Sequence, residues 1–219
     1  MFFRDENEKI MFLSRQNDDK LVDAYPKEIL NGPNQIYKYC FKCNIVRPER
    51  AHHCGVCNVC TLLYDHHCPW VGNCVAYNSH KFFVLFCLYV TIGTFFIAIR
   101  LFPCLIDLYE ESGSMVRGGF LYALLGILMG LMLSGTNGFL FFYHCFLILN
   151  NQTTVERHMM KFNNKFKFDS ILKNWEVIFG KNKWTWFLPL IPYRPNIDPY
   201  SFENKGEIAG TFSVSIDPK

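Results

Sequence analysis

The chain has 219 residues, 22 Lys and Arg against 19 Asp and Glu, ten cysteines and an aromatic share of 17%. A net charge of +3 is too small to argue for a nucleic-acid partner, and the first residues lack the apolar core and small-residue cleavage site of a signal peptide. Mean hydropathy is only slightly positive, an average that hides segregation: residues 1–36 are rich in charge, while 82–102 and 120–149 are almost free of it.

Residues 1–36 read as a polar, partly helical and partly disordered lead-in that ends on the turn signal Asn31-Gly32-Pro33. Residues 37–81 follow with Cys40-x2-Cys43, His53-Cys54-x2-Cys57-x2-Cys60, Asp65-His66-His67-Cys68-Pro69-Trp70 and Cys74. Seven of the ten cysteines fall in this window. CxxC pairs interleaved with histidine are metal-site spacing rather than a disulfide framework, which places the segment in a reducing compartment, facing the cytosol. These seven cysteines with His53, His66 and His67 make a set of ten candidate ligands or nucleophiles. Two tetrahedral zinc sites consume eight and leave one histidine and one cysteine. Spacing alone does not say which ligand serves which metal. The segment has few aliphatics, so short hairpins and loops are predicted. Structural zinc contributes about 10–16 kcal/mol in small peptides, against a net domain stability of about 5–15 kcal/mol. Folding without metal is not expected.

Residues 82–102 carry one charge, Arg100, between Lys81 and Pro103. The stretch is long enough to span a hydrocarbon core and lacks the polar face of a helix in a soluble core. A loop is expected over 103–118 and a second membrane helix over 119–149. There Gly126, Gly130, Ser134 and Gly138 recur every fourth residue and put small side chains on one face. That is a seam for a neighbouring helix, or only the ordinary frequency of glycine in membrane helices. Asn137 and His144 should face protein or a cavity rather than lipid. Arg117 is the one basic residue of the first loop, whereas Arg157, Lys161, Lys165 and Lys167 follow the second helix. The positive-inside rule puts 103–118 in the lumen and both termini in the cytosol.

The full run Cys40-x2-Cys43-x3-Arg47-Pro48-x-Arg50-x2-His53-Cys54-x2-Cys57-x2-Cys60-x4-Asp65-His66-His67-Cys68-Pro69-Trp70-Val71-x-Asn73-Cys74, with Asn78 and Phe82 beyond it, resembles the DHHC cysteine-rich-domain protein S-acyltransferases (palmitoyltransferases). The resemblance implies an interleaved ligand set: Cys40, Cys43, His53 and Cys60 on one zinc, Cys54, Cys57, His67 and Cys74 on the other. Both zincs are then closed and structural. It leaves Cys68 as nucleophile, His66 as its base and Asp65 as the group that holds the tautomer of His66. A free cysteine is only a few per cent thiolate near neutral pH, and a neighbouring imidazole that takes the proton corrects this. The implied reaction is two-step acyl transfer: palmitoyl-CoA or another acyl-CoA loads Cys68, and a cysteine of a substrate protein removes the acyl group. The implied setting is the endoplasmic reticulum or Golgi membrane.

The likeness extends into the segment 150–192. Thr153-Thr154-Val155-Glu156 matches the TTxE motif of the family, and Lys173-Asn174-Trp175-x3-Phe179-Gly180 with Trp186-Phe187-Leu188-Pro189 matches its C-terminal motif. In the family the first ties the C-terminal segment to the cysteine-rich domain, and the second braces it against the membrane helices. Read without the family, Trp175, Phe179, Trp184 and Trp186 make an amphipathic interfacial helix. Thr153, Thr154, Glu156, Asn174 and Trp70 are carried forward as candidate contacts of the acyl-CoA site. Asn151-Gln152-Thr153 is a glycosylation sequon that a cytosolic position would leave unmodified. Residues 193–219 read as a tail.

One departure stands out. The family usually has two membrane helices before the cysteine-rich domain, and residues 1–36 look like the linker that follows them. The chain thus reads as a short form, an incomplete gene model, or a protein that borrows helices by pairing with itself or a related acyltransferase. The expected fold is a mainly α-helical integral membrane protein of two transmembrane helices with a small, hairpin-rich, cytosolic double-zinc module. The expected function is a membrane-bound S-acyltransferase acting on cysteines of protein substrates near the bilayer. The rival is a catalytically weak or inactive zinc-binding interaction module tethered to membranes.

Overall fold

The structure, a computed structural model, describes residues 31–32, 35–36, 38–43, 45–47, 50–112, 118–160, 164 and 166–192. The readings made for 1–30, for Arg117, Lys161 and Lys165, and for the tail 193–219 lie outside the described residues.

Among the described residues, four two-stranded antiparallel hairpins come first: β1 Asn31–Gly32 with β2 Gln35–Ile36, β3 Lys38–Cys40 with β4 Ile45–Arg47, β5 Ala51–Cys54 with β6 Val59–Leu62, and β7 His66–Cys68 with β8 Asn73–Val75. Strands this short bury little apolar surface, and an isolated hairpin is marginal in water. Their turns are specified locally. Asn58, at φ 54°, closes the β5–β6 turn with its amide on the Cys54 carbonyl at 2.8 Å. Gly72 does the same for β7–β8 at φ 65°, donating to the Cys68 carbonyl at 2.9 Å. A side chain at Gly72 would be strained by that backbone even though the space around it is open.

Two long helices follow, α1 His80–Ser112 and α2 Gly118–Leu149. Both are long and apolar enough to cross a membrane, over His80–Glu110 and Gly119–Leu149. At 31 residues each, spans of this kind reach about 46 Å, more than the hydrocarbon core requires, so they tilt or project beyond it. Pro103, read from the sequence as the end of the first span, lies inside α1. The helix runs on through Ser112, because a proline removes one backbone bond and bends a membrane helix more often than it ends it.

The helices pack antiparallel along the small-residue seam. Thr91, Thr94, Ala98 and Leu101 of α1 meet Gly138, Ser134, Gly130 and Gly126 of α2. Ser134 Oγ donates to the Thr91 carbonyl at 3.1 Å. A Cβ on Gly130 would sit 3.0 Å from the Thr94 carbonyl oxygen and 3.2 Å from the Ala98 Cβ. Glycine here sets the distance between the two backbones. The outward faces, with Phe86, Ile92, Phe96, Leu128, Met132 and Phe139, are exposed and apolar. Asn137 satisfies its amide on the Leu133 carbonyl one turn back, at 2.9 Å. His144 is buried against protein.

After α2 the chain turns at Asn151 (φ 46°), whose amide and that of Gln152 return to the Ile148 and Leu147 carbonyls, a left-handed helix stop in which asparagine stands where glycine is commonest. Helix α3, Thr154–Met160, and helix α4, Ile171–Phe179, fold back under the hairpins. Val84, Leu85 and Ile148 of the long helices bury against Ile178 and Phe179 of α4, with Trp175 and Trp186 alongside. The C-terminal segment is thus locked to the ends of both long helices nearest the hairpins.

Gly130→Leu should lower stability in detergent by about 1–3 kcal/mol, the usual cost of overpacking. Gly135→Leu, where a new side chain meets open space, should stay within about 0.5 kcal/mol. Thermal unfolding of both variants in the same micelle checks the pair.

Candidate active site and metal centres

A strand places successive side chains on opposite faces. In β5, His53 and Cys54 therefore serve different sites. His53 stands directly across the ladder from Cys60, and its Nδ1 lies 3.5, 3.2 and 3.8 Å from the sulfurs of Cys40, Cys43 and Cys60. Cys54 turns the other way, to join Cys57, His67 and Cys74. His67 and Cys74 are again cross-strand partners, and His67 Nδ1 lies 3.6, 3.4 and 3.8 Å from the sulfurs of Cys54, Cys57 and Cys74. Each site thus takes two cysteines from the turn of one hairpin and a His–Cys pair from the strands of the next.

Zinc bonds of about 2.3 Å to sulfur and 2.0–2.1 Å to nitrogen imply a tetrahedral N···S edge of about 3.6 Å. The edges seen here bracket that value. All four donor atoms in each set lie within 4.8 Å of one another. Three thiolates and one imidazole with no open position make two structural zinc sites, with no vacancy for a substrate.

In β7 the same alternation that sends His67 to zinc sends His66 and Cys68 together to the opposite face. Cys68 is buried among Val75 of the hairpin, Phe83 and Cys87 of α1 and Phe141 of α2, so the thiol sits where the hairpins meet the head of the helix pair. His66 Nδ1 and Asp65 Oδ2 are 2.8 Å apart, and the His66 ring meets Phe83 edge-on at 5.3 Å. Asp65 is buried, at 1% exposure, and accepts two further bonds from the start of α3: the Thr154 amide to Oδ1 at 2.7 Å and the Thr154 hydroxyl to Oδ2 at 2.9 Å. Burial pushes the carboxyl up. The His66 bond, the imidazoles of His80 and His144 and the Thr154 amide outweigh that and hold it well below the usual carboxylate range. Asp65 is therefore held as an anion, able to orient His66 through that bond.

A family model described as DHHC palmitoyltransferase matches residues 34–161. The chain belongs to this family. It is 36% identical over 163 residues to human palmitoyltransferase ZDHHC20, covering 72% of this chain and 44% of that protein. Against palmitoyltransferase ZDHHC15 of Xenopus laevis the identity is 36% over 159 residues, 70% of this chain and 46% of the relative. Rat palmitoyltransferase ZDHHC2 is 36% identical over 189 residues, 83% and 48% of the two chains. The chain spans about half the length of the curated relatives it matches.

The family's TTxE segment has a full physical account here. Thr153 and Glu156 form a capping box, in which Thr153 Oγ1 accepts the Glu156 amide at 3.2 Å and Glu156 Oε2 accepts the Thr153 amide at 2.9 Å. Thr154, first residue of the helix, grips Asp65. Glu156 also takes a bidentate pair of bonds from Arg50 at 2.6 and 2.8 Å. Arg50 completes its fork on the Asn151 side chain and carbonyl and lies over the Phe166 ring at 4.5 Å. Arg50 and Glu156 are both buried. Asn174 Nδ2 donates to the Leu149 and Phe168 carbonyls, and its Oδ1 accepts the Phe168 amide.

Thr153, Thr154, Glu156 and Asn174, entered as acyl-CoA contacts, thus have their polar atoms engaged by protein and act as ties between segments. Trp70 stands apart, 93% exposed on the turn next to the Cys68 strand. Arg50 and Asn151 stand in motifs whose spacing gives neither of these roles. A fully buried arginine needs a carboxylate partner, but only the fold shows that Arg50 is buried and that Glu156 supplies it. Asn151, the sequon residue, is itself buried and bonded through both ends of its amide, to Arg50 and to the Phe166 carbonyl. Lys81 is buried at the head of α1, its Nζ donating to the Thr185 and Leu190 carbonyls at 2.7 and 2.9 Å.

Two outcomes follow. Cys57→Ala should reduce bound zinc from two to one per chain and open the hairpins to protease, read by metal analysis and limited proteolysis; a protease-resistant variant with two zincs would show that Cys57 is not a ligand. Glu156→Gln should cost about 3–5 kcal/mol, the price of leaving the Arg50 charge buried without its partner, read as the loss of unfolding temperature in detergent with both zincs retained before the transition.

Proposed function

We propose that this chain carries out protein S-acylation: an acyl group passes from acyl-CoA to Cys68 and from there to a cysteine of a substrate protein. The observation that carries the reading is the Asp65–His66 bond on the strand face that also presents Cys68, at the head of two membrane-length helices. The relatives are named palmitoyltransferases, which makes palmitoyl-CoA the first acyl donor to try. His66 takes the Cys68 thiol proton. The thiolate attacks the thioester carbonyl carbon, a new S–C bond forms, the C–S bond to CoA breaks, and the proton leaves with the CoA thiol. In the second half-reaction His66 takes the proton of the substrate cysteine, whose sulfur displaces Cys68. Thioester is exchanged for thioester, so no external energy source is needed.

In this reading Cys68 is the nucleophile, His66 the general base and acid, and Asp65 the group that orients it. The two zincs hold the hairpins and take no part in the chemistry. Trp70, exposed two residues from Cys68, is the proposed contact for the acyl donor or the incoming substrate. Basic residues after α2 support cytosolic termini and a lumenal connection between α1 and α2, and endoplasmic reticulum or Golgi is the proposed membrane. The exposed apolar faces of the two helices suit lipid or the helices of a homologous acyltransferase.

Purified protein incubated with palmitoyl-CoA should acquire one hydroxylamine-sensitive acyl group at Cys68. Cys68→Ser should abolish loading while keeping two zincs, and His66→Ala should reduce it by about 10²-fold or more. Loss of a zinc in Cys68→Ser, or full loading of that variant at another cysteine, would contradict the proposal.

A further inference from the structure

Behind His66 lies a second pair of imidazoles that the chemistry above does not use. His80 opens α1 and His144 sits near the end of α2, 64 residues away in sequence, yet His80 Nε2 and His144 Nδ1 are 3.0 Å apart. Both are buried, at 1% and 2% exposure. The His144 ring is 5.9 Å from the ring of His66 and 4.9 Å, edge-on, from Phe83. Phe83 in turn packs edge-on against His66. One polar atom of Asp65, one of His80 and one of His144 lie within 4.8 Å of one another. His66, with 34% of its side chain still exposed, is therefore held by Asp65 on one side and flanked by Phe83 and His144 on the other.

We infer that His144, fixed by its hydrogen bond to His80, is a positioning residue for His66. This inference rests on the acyl-transfer reading of the site. Asp65 fixes one nitrogen of His66 but leaves the ring free to swing about that bond. The wall formed by Phe83 and His144 removes the swing, and the His80 bond keeps the wall in place by tying the two helices at their cytosol-proximal ends. Buried imidazoles are expensive unless bonded, so a pair contributed by two different helices fixes their relative rotation at the level of the nucleophile. Loose placement of a base by about 1 Å costs on the order of 10²-fold in rate, so the device has a kinetic consequence.

A third metal on Asp65, His80 and His144 is the competing use of the same groups. Asp65 already accepts three hydrogen bonds, from His66 and from the amide and hydroxyl of Thr154. A cation there would have to displace them, which disfavours it.

The test is a double-mutant cycle on Cys68 reactivity in the full chain. Loading from palmitoyl-CoA and alkylation by iodoacetamide, followed at the Cys68 peptide by mass spectrometry, are measured for the wild type, His144→Phe, His66→Ala and the double variant. His144→Phe keeps an aromatic ring in the wall but loses the bond to His80. It should slow both reactions about tenfold with two zincs retained, and should add nothing in the His66→Ala background. His144→Asn, whose amide can meet His80, should recover part of the rate. Should His144→Phe fail to fold, His80→Asn applies the same cycle from the other end of the bond. Equal slowing with and without His66, or no slowing at all, would overturn the inference; so would three zincs in the wild type falling to two in His144→Phe. A wild type that does not load from palmitoyl-CoA would instead count against the acyl-transfer reading.

Discussion

Everything at this site depends on the register of one three-residue strand. In β7, His66, His67 and Cys68 alternate faces, so the middle residue goes to the zinc site and the outer two share the other face, as the proposed base and nucleophile. A slip of one residue would turn His67 away from the metal site and turn His66 and Cys68, the proposed base and nucleophile, toward it. A strand so short cannot hold register by apolar burial. It is held by His67 and Cys74, opposite each other on the ladder and joined through the same metal to the Cys54–Cys57 turn of the preceding hairpin. In the proposed reaction the zinc takes no part, yet it decides which side chains of β7 face away from the metal.

A second layer of polar bonds attaches this pinned strand to the helices. Asp65 receives the start of α3, and Glu156, three residues after the cap, receives Arg50 from the turn before β5. The two contacts flank the open end of the β5–β6 hairpin, where Ala51 pairs with Leu62, so the first turn of α3 braces that end. Neither contact is worth much as an isolated pair. Buried and multiply bonded they are costly to break singly, which makes the relative placement of hairpins and helices close to all-or-none. Asn174 and the aromatic group of Trp175, Phe179 and Trp186, whose rings lie 5.0–6.0 Å apart, extend the same brace to the ends of α1 and α2.

Much of this was legible in the residues. Ligand spacing indicated two zinc sites, and charge segregation with hydropathy located both long helices. The four-residue recurrence of small side chains marked the face of α2 that α1 occupies. Less legible were features that depend on who meets whom across the chain. Nothing local to Arg50 says that its carboxylate lies 106 residues away, nor does Pro103 reveal that the helix continues past it. Thr153, Glu156 and Asn174 could be recognised as motif residues from sequence, but whether their polar atoms face a ligand or the protein itself is decided only by packing. His144 reads singly as a polar group in an apolar helix and His80 lies outside every motif, and only the antiparallel pairing brings them together.

The division of labour within β7 can be measured at the metals themselves. X-ray absorption at the zinc edge, on protein before and after complete acylation of Cys68, counts the sulfur and nitrogen neighbours of both ions. Three sulfurs and one nitrogen per zinc in both samples is the expected result, because Cys68 faces away from the metals and its acylation leaves them untouched. A fall in the sulfur count on acylation would place Cys68 among the ligands and contradict the strand register on which the site depends.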